Sequence, residues 1–277
     1  MPRKISPVFD IFDSQHSESK LIFNDLIKHM KSKKSIELLG KMSFLELISE
    51  LMVSTHERTI DPETDPFSPF RPLHKNLKKI YHHKLVEAEL LKRKNETGKK
   101  YTKFQNKLDG YKKSLYNSTY EMIVGSTYGP WEGFKEKILK LNQGLKPLMI
   151  NTGINRLMQE ELENFHLDQS GNLGTQKLKE VYQGLRRIII LENLLVQLGF
   201  NSIFPLETHE EINELKDKLR AWYTNHLTLQ ALSYYLGEVE APSQKYIDWV
   251  KDLRSEKKDL SLNAEQQAKS LFEKLLV

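Results

Sequence analysis

The chain has 277 residues, 39% of them hydrophobic and 29% charged, with a mean hydropathy of −0.55 and a formal net charge of +5; that is enough apolar material for one large domain or two small ones. No apolar run approaches the roughly 18 residues that a bilayer crossing needs, and MPRKISPVFDIFDSQ at the start has no uninterrupted apolar signal core, so a soluble, cytoplasmic protein without membrane association is expected. With no cysteine, disulfides, thiolate metal sites, zinc fingers and cysteine nucleophiles are excluded.

Helical periodicity runs from end to end. SKLIFNDLIKHM (19–30) places Leu21, Ile22, Leu26, Ile27 and Met30 on one stripe, and SIELLGKMSFLELISELM (35–52) does the same with Leu38, Leu39, Met42, Leu45 and Ile48. The four prolines of DPETDPFSPFRP (61–72) predict a loop, with Pro72 in the first turn of a helix from about 73 to 94. After NETG (95–98), KKYTKFQNKLDGYKKSLYNSTYEMIVG reads as one long helix with Gly110 inside, and STYGPWEGF (126–134) as a turn that launches FKEKILKL. Further helices are predicted near 154–166, 175–198, 208–236, 243–253 and 262–276, separated by DQSGNLG (168–174), GFNSIFPLET (199–208) and GEVEAPS (237–243). The class is all-α, with the short connections of helical bundles.

Charge is spread unevenly along these elements. From Arg71 to Lys113 there are fourteen Lys/Arg against four Asp/Glu, a net +10, so the rest of the chain carries about −5. Such an excess points to an anionic partner or to a solvated basic helix face. Helical spacing puts Lys75, Lys78, Lys79 and His82 on one stripe, with His83 at its edge and Leu73, Leu77, Ile80, Ala88 and Leu91 as the expected core stripe opposite. Cations at a helix start oppose the macrodipole by a few tenths to about 1 kcal/mol each, a cost that a bound anion recovers.

An internal match supports a two-part architecture. LHKNLKKI (73–80) aligns with VYQGLRRI (181–188) at an offset of 108, pairing Lys78 with Arg186 and Lys79 with Arg187. A helix that opens with His, continues with Lys/Arg and recurs about a hundred residues later resembles the conserved-histidine α-helical domain (CHAD) family. VYQGLRRIIILENLLVQLGF followed by INELKDKLRAWYTNHLTLQALSYYL (212–236) is similar to that family's helix ending in Leu-Gly and its Leu-rich successor. The resemblance covers most of the chain. It implies two pseudo-symmetric helical bundles, 1–150 and 151–277, forming one domain with a basic groove that binds inorganic polyphosphate; no Ser-His-Asp or Gly-rich phosphate-loop pattern appears, so neither catalysis nor a cofactor is expected. The implied binding residues are His74, Lys75, Lys78, Lys79, His82, His83, Arg186 and Arg187. The family's cation positions counted from His74 hold Leu77, Tyr81, His82 and Lys84, and those counted from Tyr182 hold Leu185, Ile189, Ile190 and Glu192.

Other readings stand beside this one. EEINE (210–214) matches a carboxylate pattern used for Mg²⁺ by all-α pyrophosphohydrolases, but QKYIDWVKDLRSEKKD offers Asp248 and Asp252 without the usual second Glu, so neither a metal site nor catalysis is expected. Tyr101, Phe104, Tyr111, Tyr116 and Tyr120 interleave with lysines and suit nucleic acid as well as a core seam, with Phe104, Tyr111 and Leu115 as that seam. Loss of cations from the second repeat suits a protein-interaction scaffold. Trp131, Trp222 and Trp249 read as packing residues.

Overall fold

The computed structural model describes residues 6–28, 30, 32–56, 65–165 and 173–275. These form nine α-helices, one 3-10 turn and no strand, the all-α class that the periodicity predicts. In chain order they are α1 (Pro7–Lys28), α2 (Ser32–Ser54), the 3-10 turn Ser68–Phe70, α3 (Arg71–Thr97), α4 (Thr102–Gly125), α5 (Gly129–Leu141), α6 (Pro147–Asn164), α7 (Thr175–Gln197), α8 (Leu206–Gly237) and α9 (Gln244–Leu275).

Proline sets many of the starts. Pro7 and Pro147 are the first residues of α1 and α6, and Pro72 and Pro130 the second of α3 and α5, positions where a missing N–H costs nothing and a fixed φ helps. Glycine sets two of the ends. Gly98 closes α3 at φ +65° and Gly199 follows α7 at φ +82°, where the Phe200 amide donates back to the Leu195 carbonyl at 3.1 Å.

Several boundaries differ from expectation. α1 begins at Pro7, well before residue 19, and its buried face is Val8, Phe12, Ser19, Ile22, Phe23 and Leu26, while Leu21 is exposed. Residues 61–64 of the Pro-rich stretch and 168–172 of DQSGNLG lie outside the described residues. Ser68 onward is helical, because Pro69 and Pro72 occupy first-turn positions. Most of 126–134 belongs to α5 for the same reason. The two helices expected at 243–253 and 262–276 are one, α9, since RSEKKDLS between them holds neither Gly nor Pro and its charged side chains, the half-buried Lys257 apart, face water.

The chain divides into two compact units, each drawing on both halves of the sequence. The first takes Met1–Tyr81, Lys112–Met158 and Asn193–Asn201. In it α1 packs on α2 and both pack on α5, around the rings of Phe12, Phe23, Phe67, Phe70, Trp131 and Phe134. Phe70 and Trp131 have centroids 4.7 Å apart, Phe12 and Phe134 5.2 Å, and each such ring removes roughly 150–250 Å² from water. The second unit takes His82–Tyr111, Gln159–Glu192 and Ser202–Val277. Here α8 lies along α9, and Tyr101, Phe104, Leu232, Tyr235, Tyr246 and Trp249 form the centre of a buried cluster. Trp131, Trp222 and Trp249 are all packing residues, each at most 1% exposed.

α3 gives its residues up to Tyr81 to the first unit and the rest to the second. Its buried side changes there, from Leu73, Leu77 and Ile80 to His83, Val86 and Leu90, about a third of a turn round. Ala88 and Leu91, expected on the core stripe, are exposed for that reason.

Candidate polyanion-binding face

The start of α3 is held by acids far away in sequence. Asp65, itself buried, accepts from the Phe67 amide at 3.0 Å and from Arg71 Nε at 2.9 Å. Arg71 also reaches Glu46 at 3.1 Å, and Asp65 above all raises the guanidinium above its ordinary range. His74 is 3% exposed; its Nε2 lies 3.0 Å from Ser43 Oγ and its Nδ1 3.3 Å from Glu46 Oε2, with the ring edge-on to Phe67. Arg71 and His74, two of the groups that crowd this helix start, thus find partners inside the first unit.

Lys75, Lys78 and Lys79 are different. All three are exposed, they share one face of α3, and none forms an ion pair with a carboxylate among the described residues. Elsewhere in the basic run three cations are neutralised: Lys92 pairs with Glu89, Glu96 and Glu256, Arg93 with Asp252, and Lys107 with Glu238 at 2.7 Å.

The other predicted residues belong to the second unit. His82 is half-buried, with Nε2 3.2 Å from the Tyr223 hydroxyl and its ring perpendicular to that of Tyr223. His83 is buried; Nε2 donates to the Leu108 carbonyl at 2.9 Å, Nδ1 sits 3.5 Å from Glu87, and the ring stacks on Tyr111. Arg186 lies over the Tyr182 ring at 5.9 Å, and Arg187 Nε donates to Glu161. Of the eight residues, the structure brings three lysines together on one exposed face and ties His74 and His83 into buried contacts.

The interleaved aromatics of α4 separate in the same way. Tyr101, Phe104, Leu108 and Leu115 are buried, whereas Tyr111 and Tyr120 are exposed, so Leu108 and not Tyr111 completes the seam. In EEINE, Glu211 pairs with Lys274 and Glu214 accepts from Gln267, and among the described residues no group of three His, Asp or Glu converges as a metal site.

Each unit also carries a cleft. That of the first, about 330 Å³, is apolar and lined by Phe23, Phe70, Leu73, Met122, Pro130 and Trp131. That of the second, about 300 Å³, surrounds the start of α4 with Lys94, Lys99 and Lys100; Lys94 is committed to Gln105 and the Lys100 carbonyl to Lys245. Comparison with family models, with curated proteins and with solved structures finds no match. A functional reading therefore rests on geometry. Sequence reasoning missed Asp65 and Glu46, whose distance along the chain hides their role; only the aspartate's place before Pro66, as a turn former, gave a hint.

Proposed function

We propose that this chain is a non-catalytic helical protein that binds a phosphate-rich polyanion along the exposed face of α3, inorganic polyphosphate being the polymer that the likeness to the CHAD family implies. The carrying observation is the contrast within one basic run: Arg71, Lys92, Arg93 and Lys107 have carboxylate partners, while Lys75, Lys78 and Lys79 share a face and have none among the described residues. Three like charges within two helical turns raise one another's energy, and a polymer of phosphates relieves all three at once.

The test is binding of long-chain polyphosphate against single-stranded DNA of equal charge, titrated with salt. The expected result is tighter binding of polyphosphate, with the slope of log K against log salt reduced by about 2 in a Lys75→Glu/Lys78→Glu/Lys79→Glu variant of unchanged melting. A second reading, a helical scaffold for a protein partner, draws support from the inward commitments of His74, His83 and Arg187. Equal weak binding of both polymers, untouched by the variant, would decide for it.

A further inference from the structure

The middle of α8 holds a group of buried polar atoms that no described residue satisfies. Trp222 is 0% exposed, Asn225 3% and His226 5%. Trp222 Nε1, Asn225 Oδ1 and both ring nitrogens of His226 have no hydrogen-bond partner among the described residues. Leaving such an atom unmatched is costly, and buried groups of this kind otherwise find partners. Trp222 and His226 are one helical turn apart with their rings parallel, 4° between planes and centroids 5.6 Å apart, so the stack fixes the imidazole.

Both charges that act on the His226 ring are positive, although the Glu256 carboxylate lies against the neighbouring Asn225. Lys257 of α9 and Lys179 of α7 are the charged groups that act on His226, and both are half-buried. Lys257 Nζ donates to Thr175 Oγ1 at 3.3 Å, which places an ammonium at the first residue of α7, the positive end of that helix. Burial and then Lys179 lower the pKa of Lys257, as expected where a half-buried ammonium meets a second cation. Nearby carboxylates are engaged otherwise. Glu256 accepts from Asn225 Nδ2 at 3.1 Å and pairs with Lys92, while Glu265 takes the Leu173 amide.

We infer that Trp222, His226, Lys179 and Lys257 form a site for a small oxyanion of phosphate size, held within the second unit and independent of the α3 face. An indole N–H, an imidazole and two ammoniums supply donors and positive charge; an anion among them cancels the repulsion, and its oxygens accept from donors that are otherwise unmatched. A metal cation is the wrong sign for the two lysines.

The experiment uses the full chain and inorganic phosphate against chloride at equal ionic strength, read by melting temperature and by the histidine ring resonances. The expected result is a saturable rise in melting temperature with phosphate alone, accompanied by movement of one histidine signal that is absent from a His226→Phe variant. A Lys179→Met/Lys257→Met variant should lose the saturable rise yet melt no lower in chloride, because it removes like charges. Trp222→Phe keeps an aromatic ring but removes the indole donor, and should weaken phosphate binding about tenfold. The Lys75/Lys78/Lys79 variant should keep the whole response, which separates failure of this site from failure of the α3 face. Equal responses to phosphate and chloride, or a phosphate response that survives in the double-methionine variant, would overturn the inference and leave the buried atoms to water.

Discussion

Acid should destabilise this protein through His226. Its pKa is pushed down to about 4, first by burial and then by the Lys257 and Lys179 ammoniums, whereas an unfolded histidine titrates near 6.5. Between those values the unfolded chain binds the proton and the folded chain does not, so stability falls as pH falls through that window. The linkage gives a loss of about 2 kcal/mol from pH 7 to pH 5 and about 3 kcal/mol by pH 4. Glu89 and Glu265, both raised by burial, act in the opposite sense, and a difference measurement cancels them. His226→Phe retains the parallel stack on Trp222 and removes the titration. Urea unfolding of both proteins, in phosphate-free buffer at pH 7, 6 and 5, should show the wild type losing about 2 kcal/mol relative to the variant by pH 5. A difference that stays flat across that range would mean that the imidazole is solvated in the folded state, and would refute the reasoning.

Two glycine substitutions should have opposite signs. A Cβ at Gly184 would lie 2.5 Å from Phe165 Cζ, and that ring is stacked on Phe272 at 4.7 Å, so Gly184→Ala should cost about 1–3 kcal/mol; Gly40→Ala meets nothing within 4 Å and should gain about 0.5–1 kcal/mol, both read from denaturation midpoints. Glu192, 2% exposed, accepts the Ile203 and Phe204 amides at 2.9 and 3.0 Å and the Ser202 hydroxyl at 3.0 Å. Glu192→Ala should therefore cost about 3 kcal/mol and speed hydrogen exchange at both amides, with Glu192→Gln recovering part of each. Asp65→Asn should cost about 1–2 kcal/mol and loosen the first turn of α3, seen as faster exchange there, without changing polyanion affinity.

Much of the fold was legible because helix formation here follows local rules. Apolar residues recur at helical spacing, and first-turn prolines mark helix starts, with Pro72 locating that of α3 from sequence alone. What periodicity could not show is where a helix changes the face it buries. α3 reads as one amphipathic helix, yet its apolar stripe steps round between Ile80 and His83, and so extrapolating the Leu73–Leu77–Ile80 line reached Ala88 and Leu91, which face water. The same limit applied to Leu21: neighbours supplied by α5, through Trp131 and Phe134, selected Phe23 and Phe12 for the core.

The candidate site follows the same division between local and distant information. A count along the chain gives fourteen cations against four acids between Arg71 and Lys113, and treats all of them alike. In three dimensions Glu46 and Asp65 neutralise the helix start, and Asp252, Glu256 and Glu238 neutralise later positions. The excess that remains concentrated on α3 is the face of Lys75, Lys78 and Lys79. His226 presents the reverse case: a single histidine in a charge-poor stretch, TNHLTL, gives no signal in sequence, because the ammoniums that act on it come from α7 and α9. Where cations stand without acids, at an exposed face or beside a buried ring, the energy of the free protein is raised locally, and binding of an anion is the step that lowers it.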